Sequence, residues 1–165
     1  MIIRSELAAD ISSIRQLTDA AFRDVAYSSQ TEGAIVDALR LAGVLTLSLV
    51  AEQNGMIVGH VAFSPVLIDG DDIGWFGLGP VSVSPPMQRR GVGSALINEG
   101  LQLLRDRGAA GAVVLGDPDY YRRLGFTSDH QLSFADVPPA YFQSIVLAGT
   151  PAKGLVTYHE AFAAR

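Results

Sequence analysis

The sequence contains no cysteine and only three histidines among its 165 residues. A chain without cysteine forms no disulfide, uses no thiolate as a nucleophile and has no cysteine-based zinc site. The histidines, His60, His130 and His159, are isolated and lack the spacing of metal ligands. We therefore expect neither a metal site nor cysteine chemistry.

Long apolar runs and excess positive charge are also missing. No stretch reaches the ~18 apolar residues that a membrane-spanning helix needs, and residues 1–6 lack the apolar region of a signal peptide. The net charge of −5 argues against general nucleic-acid binding. The length fits one domain, and 48% hydrophobic residues indicate a globular chain. These features predict a soluble cytoplasmic protein with a single domain over residues 1–165.

A further absence is local. No Asp or Glu occurs in residues 73–98, and the only charges in this window are those of Arg89 and Arg90. An apolar run at 78–83 precedes the two arginines and a helical pattern at 91–107 follows, which gives the order strand, glycine turn, helix. Glycines let the backbone approach a ligand, and the first N–H groups of a helix favour an anion such as phosphate. The alternative is an ordinary helix start with two solvated arginines.

The spacing of this turn separates three glycine motifs. It is not a P-loop, because no Gly-Lys-Ser/Thr follows, and Leu96 stands where a dinucleotide fingerprint has its third glycine. Gln88, Gly91 and Gly93 resemble motif A of the GNAT superfamily of N-acetyltransferases. The resemblance implies a loop that holds the pyrophosphate of acetyl-CoA or CoA, preceded by a strand whose N–H groups bind pantetheine or the acetyl carbonyl. The cofactor-binding residues expected on this basis are Val81, Ser82, Val83, Gln88, Arg89, Arg90, Gly91, Val92, Gly93 and Ser94.

A second signature follows the next predicted strand. Tyr120, Tyr121, Gly125 and Phe126 resemble motif B of the same superfamily, in which a strand leads into a short helix that ends in Gly-Phe. The amino-acid sequence of this segment resembles that of a bacterial subgroup of predicted acetyltransferases. It departs from many members at residues 116–119, where Gly-Asp-Pro-Asp has no asparagine, and this leaves open how the cofactor is contacted there.

Hydrophobic periodicity predicts the elements of an α/β fold. We expect strands at 2–3, 45–53, 56–68, 75–83, 112–115, 132–134 and 155–162, with a loop at 135–154. We expect helices at 11–22, 31–41, 91–107 and 119–124, with Asp10 as the N-cap of the first. Alternation at 45–53 predicts one buried face, and Gly59 predicts a bulge or a close approach. The result is a GNAT-like mixed sheet, mostly antiparallel, with helices flanking it and one parallel pair that the resemblance implies to be splayed.

The resemblance also implies the catalytic acid. Tyr121 matches the family's general-acid tyrosine, and a phenol with a pKa of ~10 suits protonation of a leaving thiolate; the alternative is a packing residue. Tyr120 is expected to belong to the core. The base stays open between Glu32, His60, Asp117 and water.

Together these features predict an acetyl-CoA-dependent N-acetyltransferase that acts by direct transfer on a primary amine of a small molecule or peptide. The alternative is a non-catalytic acyl-CoA-binding sensor or partner module. The expected partners include no nucleic acid and no membrane, and a homodimer stays open. The acceptor side is expected at the loop of residues 23–30, the turn at 69–72 and the region after Pro138.

Overall fold

The computed structural model describes residues 1–129 and 131–165, and His130 lies outside the described residues. The α-helices of this part are α1 (Ile11–Phe22), α2 (Glu32–Leu41), α3 (Val92–Asp106) and α4 (Pro118–Arg122). The strands are β1 (Ile2–Ser5), β2 (Leu47–Gln53), β3 (Met56–Ile68), β4 (Trp75–Val83), β5 (Gly111–Leu115), β6 (Leu132–Ser133), β7 (Phe142–Val146) and β8 (Gly154–Tyr158).

The strands form a mixed sheet with the order β1-β2-β3-β4-β5-β7. β1 and β3 both pair antiparallel with β2. β4 and β5 are parallel, with pairs from Trp75–Gly111 to Gly77–Val113, and β7 closes the row antiparallel to β5. β8 pairs antiparallel with β3 and parallel with the two-residue β6. The predicted α/β fold, with a parallel pair beside the glycine turn and helices flanking the sheet, is confirmed.

Two compact units make up the chain. The first comprises Met1–Phe63, Gly79–Gly100 and Glu160–Arg165, and the second comprises Ser64–Leu78 and Leu101–His159. β3, β4 and α3 each contribute residues to both units. The predicted cofactor residues all belong to the first unit, whereas Tyr121 belongs to the second.

The first unit has helices on both faces of its strands. Ile14 of α1 and Val36 of α2 pack against Val50 of β2. On the opposite face, a Cβ at Gly59 would lie 2.7 Å from Val92 Cγ1 of α3. Gly59 also borders a bulge, because the β2–β3 register shifts between Ala51 and its next residue. The predicted bulge and close approach at this glycine are therefore both present.

The same packing corrects the expectation for β2. The alternating pattern predicted one buried face, but all residues from Leu47 to Ala51 are buried. Because helices cover both faces, Ser48 and Val50 are as inaccessible as the leucines. Because Ser48 is polar, the sequence pattern wrongly indicated that its face of β2 is exposed.

In the second unit, a cluster of large apolar side chains joins four strands. Trp75 of β4 and Val113 of β5 pack with Phe142 of β7 and Val156 of β8. The Trp75 ring lies against Gly111, where an added Cβ would come within 2.5 Å of it. This core fixes the start of β4 and the position of β5.

The carboxyl-terminal third departs most from the sequence-based prediction. Phe142–Val146, predicted as part of a loop, is β7, and all five of its residues pair with β5. The last strand ends at Tyr158, and Glu160–Ala163 is a 3-10 helix, so the predicted strand at 155–162 was too long. In the described part of the chain, no helix is both long and apolar enough to cross a membrane.

The first helix begins and ends as predicted, but Asp10 does not cap it. The backbone of Asp10 is itself helical, and its carboxylate accepts from Leu7 N at 2.7 Å and from Arg4 Nη1 at 2.7 Å. The Arg4 hydrogen bond, followed by that from Leu7, holds the pKa of Asp10 below its ordinary value. Asp10 thus caps the preceding 3-10 turn and ties it to β1.

Candidate active site

The turn between β4 and α3 has an unusual backbone. Arg89 has φ +64° and Gly91 has φ +85°, both in the left-handed region that favours glycine. The first hydrogen bond of α3 runs from Ala95 N to Gly91 O at 3.0 Å. Helix geometry leaves the N–H groups of Val92 and Gly93 without an intrahelical acceptor, so the helix start presents donors to an anion.

Gln88 braces this turn against the preceding strand. Its side-chain Nε2 donates to Val83 O at 3.1 Å. Arg89 and Arg90 are exposed, and Ser94 is half-buried. The loop therefore combines a side-chain link to the end of β4 with two accessible cations.

The register of β3 and β4 gives the direction of the β4 amides. Ser84 N donates to Val58 O at 2.9 Å. Because alternate residues of a strand point to the same neighbour, the N–H groups of Val81 and Val83 point away from β3. The parallel register with β5 ends at Gly77. Val81 and Val83 thus lie beyond the residues of β4 that pair with β5.

In the second unit, Tyr121 is half-buried on α4 within a cluster of aromatic rings. It makes edge-to-face contacts with Tyr120 (5.0 Å between ring centres) and Phe126 (5.8 Å). A Cβ at Gly116 would lie 2.6 Å from Tyr121 Cε2, so this glycine makes room for the ring. Burial raises the pKa of Tyr158 above its ordinary value, and its electrostatic interaction with Tyr121 adds to the effect.

Tyr120 does not belong to the core as predicted. It is half-buried, its ring has Arg123 Cζ at 5.9 Å from its centre, and the fully buried aromatic residue of this segment is Phe126. Adjacent residues of a helix project in different directions, so α4 does not direct both of its tyrosines to the same core.

Two of the three candidate bases have contacts that account for their positions. Asp117 is exposed and caps α4 by accepting from Asp119 N at 3.0 Å. Glu32 begins α2 and accepts from Ser28 Oγ at 2.7 Å. His60 is fully buried, and burial lowers its pKa to about 4. His60 is therefore neutral at pH 7.

The surroundings of His60 are polar, which its sequence neighbours do not indicate. Its Nε2 lies 2.8 Å from Ser48 Oγ, which also hydrogen-bonds Glu6 Oε1. Arg40 in turn donates to both oxygens of Glu6 at 2.8 and 2.9 Å. These four residues come from β3, β2, the segment after β1, and α2, and no spacing in the sequence signals their proximity.

A surface cavity of about 230 Å³ lies in the first unit at the helix ends that flank the loop of residues 23–30. Its lining residues are Arg15, Asp19, Phe22, Arg23, Gln30 and Glu32. Within residues 1–129 and 131–165, no three His, Asp or Glu side chains are grouped so as to hold a metal ion.

Known proteins of one family match the chain over nearly its whole length. The model of the acetyltransferase (GNAT) domain family matches residues 3–128. The uncharacterized N-acetyltransferase YhbS of Escherichia coli (strain K12) is 38% identical over 98% of both chains. A GNAT family acetyltransferase from Brucella melitensis, solved in complex with acetyl-CoA, is 54% identical, with a TM-score of 0.88 over 98% of this chain and 97% of that one.

Escherichia coli YhbS solved in complex with CoA has a TM-score of 0.90 at 37% identity, covering 98% of this chain and 91% of that chain. The family model and the full-length relative show the family, and both solved structures share the fold of this chain. The chain belongs to the GNAT acetyltransferase family.

Proposed function

We propose that this protein transfers the acetyl group of acetyl-CoA directly to a primary amine of a small molecule or peptide. The turn from β4 to α3 carries the proposal, because Gly91 opens a helix whose first N–H groups face outward in a window without carboxylates. The relatives solved with acetyl-CoA and CoA support the same ligand here.

The residues of the first unit fit that ligand. A Cβ at Gly91 would meet no atom within 4 Å, so the loop borders open space on that side. The N–H groups at the start of α3, including those of Val92 and Gly93, suit the pyrophosphate. The N–H groups of Val81 and Val83 suit pantetheine and the acetyl oxygen, where oriented donors stabilise developing negative charge.

Tyr121 is the acid of the proposed reaction. Acetyl-CoA supplies the acetyl thioester. As the amine nitrogen bonds to the acetyl carbon and the C–S bond breaks, the Tyr121 phenol gives its proton to the leaving sulfur and later regains one from solvent. The proton that the nitrogen loses goes to water, because Asp117 and Glu32 are engaged in hydrogen bonds and His60 is buried.

The acceptor is proposed to be cationic before it reacts. The cavity beside the loop of residues 23–30 includes the carboxylate of Glu32, which suits an ammonium group. Arg15 and Asp19 of the same cavity pair with each other at 3.0 Å. Arg23 is therefore the cation that would suit an acceptor that also carries a carboxylate or phosphate. We therefore expect amino acids and short peptides to be better acceptors than simple alkylamines.

A calorimetric titration with acetyl-CoA, CoA and ATP tests cofactor binding. The wild type should bind the first two and not ATP. Gly93→Val should abolish binding, since a branched side chain would project where the pyrophosphate approaches. Gln102→Val, which adds the same side chain at an exposed position of α3, should bind normally. Gly91→Val is a weaker test, because φ +85° would strain any branched residue. Normal binding by Gly93→Val would remove the loop from the site.

Thiol release in the presence of an amine panel tests catalysis. Tyr121→Phe keeps the ring and should lower the single-turnover rate by ~10²–10⁴ with little change in acetyl-CoA affinity. Its stability should fall by only about 1 kcal/mol. A parent-like rate would exclude Tyr121 as the acid. Tight binding of acetyl-CoA with no thiol release for any amine would instead favour the acyl-CoA-binding module.

A further inference from the structure

A row of buried and half-buried polar side chains crosses one face of the first unit's strands and ends at His60 of β3, beside β4. Arg40, Glu6, Ser48 and His60 are linked by hydrogen bonds in that order. Ser48 is 9% exposed and His60 is 0% exposed, so the inner half of the row has no access to water. Polar groups in such surroundings are costly unless they are paired, which makes any unpaired atom in the row informative.

The proton positions in the row follow from its charged end. Burial would raise the pKa of Glu6, but the hydrogen bonds from Arg40 and Ser48 and the Arg40 charge outweigh it and hold that pKa below its ordinary value. Glu6 is thus an ionised acceptor and takes the single hydroxyl proton of Ser48. Ser48 must then accept from His60 Nε2. His60 is therefore the neutral Nε2–H tautomer, with a lone pair on Nδ1.

Two buried atoms at the β4 end of the row complement each other. His60 Nδ1 and Ser82 Oγ each lack a hydrogen-bond partner among the described residues. The hydrogen bond from Ser84 N to Val58 O places Ser84 opposite Val58. Two residues along each antiparallel strand, Ser82 therefore lies opposite His60. Directly opposed side chains share one face, with Cβ atoms about 5 Å apart. The His60 Nδ1 lone pair and the Ser82 hydroxyl therefore lie on the same face of the two strands, without a hydrogen bond between them in this structure.

We propose that His60 is a positioning residue for acetyl transfer, which holds β4 through the Ser82 hydroxyl. The inference rests on the proposed function. Ser82 lies between Val81 and Val83, whose N–H groups point away from β3 and are assigned to the thioester. When acetyl-CoA binds, the Ser82 hydroxyl donates to His60 Nδ1 and so holds those amides in place. The hydrogen bonds through Ser48 to Glu6 and Arg40 keep the imidazole in the tautomer that can accept. Ser82 thus contributes through its hydroxyl, because its backbone N–H, like that of Ser84, points towards β3 and away from the proposed cofactor site.

Acetyl-CoA titrations of two serine variants test the proposal. Ser82→Ala removes the hydroxyl and should weaken acetyl-CoA binding about fivefold, the effect of one hydrogen bond. Ser64→Ala is the matched control, because Ser64 Oγ on β3 is also buried and without a partner among the described residues; it should change affinity less than twofold. Equal affinities of Ser82→Ala and the wild type would overturn the positioning role while leaving the proposed function intact. A wild type that binds no acetyl-CoA would overturn both.

Two His60 variants separate the two sides of the imidazole. The amide of His60→Gln can reach Ser48 but leaves no acceptor beside Ser82, whereas His60→Asn can keep an acceptor at the Nδ1 position and loses Ser48. Positioning predicts that His60→Asn binds acetyl-CoA more tightly than His60→Gln. The reverse order, or equal affinities, would show that the row supports the fold alone.

Nitrogen-15 NMR of the histidine rings provides a readout that does not depend on variants. The free wild type should show His60 as the Nε2–H tautomer, and the Nδ1 resonance should shift towards a hydrogen-bonded value as acetyl-CoA is added. An Nδ1–H tautomer, or an Nδ1 resonance that stays constant through saturation, would refute the proposal.

Discussion

Adding one methyl group at Gly116 should inactivate the enzyme by displacing Tyr121. The Cβ of Gly116→Ala would lie 2.6 Å from Tyr121 Cε2, whereas carbon atoms in contact are ~3.5–4.0 Å apart. The ring must therefore move by about 1 Å. Tyr120 and Phe126 pack against the same ring, so the phenol cannot simply rotate back to its former position. A displacement of this size costs on the order of 10²-fold in rate when it moves a reacting group.

The assay is single-turnover thiol release at saturating acetyl-CoA, after calorimetry has shown that affinity is retained. We expect a rate about 10²-fold below the parent for Gly116→Ala. Gln102→Ala is the control, because Gln102 is exposed on α3 and belongs neither to the aromatic cluster nor to the lining of the proposed acceptor cavity. That variant should keep the parent rate within about twofold.

A double mutant decides whether the loss acts through the phenol. If Gly116→Ala works only by misplacing the Tyr121 hydroxyl, the variant Gly116→Ala/Tyr121→Phe should be no slower than Tyr121→Phe alone, since there is no hydroxyl left to misplace. Multiplied losses in the double mutant would show that Gly116 acts independently of Tyr121. A parent-like rate for Gly116→Ala would refute the assignment of Tyr121 as the acid, or the packing on which the prediction depends.

Three further predictions concern stability and binding. Burial depresses the pKa of His60 from 6.5 to about 4, so below pH 7 the unfolded chain binds a proton that the folded chain does not. The free energy of unfolding should therefore fall by about 1 kcal/mol between pH 7 and pH 5.5. Urea midpoints that show this fall in the wild type but not in His60→Gln would support the prediction. The double variant Arg89→Ala/Arg90→Ala should weaken acetyl-CoA binding about fivefold, less at high salt, because both side chains are exposed; a salt-independent loss of several hundredfold would contradict this. Gly59→Ala should destabilise the fold by roughly 1–3 kcal/mol in urea, because its Cβ would lie within 2.9 Å of Leu96 Cδ1, and an unchanged midpoint would contradict it.

Where the structure depends on local chemistry, the sequence alone predicted it. α3 begins one residue after Gly91, whose φ of +85° is the conformation that a glycine turn into a helix requires. β3 has the predicted ends because Asn54-Gly55 fixes the turn before it and Asp69-Gly70 the turn after it. The window without carboxylates and the two motifs likewise lie within short stretches, so the sequence alone indicated the family.

Contacts between distant segments decided the rest. The segment of β7 carries Gln143 and Ser144 in its middle, which gives it the composition of a loop. It is a buried strand because Gln143 Nε2 donates to Gly116 O at 3.1 Å and Ser144 exchanges backbone bonds with Thr127. Burial of a polar side chain is tolerated when a partner is present, and these partners lie 17 and 27 residues away.

The surroundings of His60 show the same limit. In the sequence it is one isolated histidine, compatible with a base or with a half-buried scaffold residue. Its burial, its tautomer and its place opposite Ser82 follow from the pairing of β2, β3 and β4 and from the Arg40–Glu6 ion pair that ends the row. The residue type determines which protons a side chain can hold. The atoms that surround the side chain after folding determine which of these protons it does hold. For His60, these atoms come from segments that are brought together only in the tertiary structure.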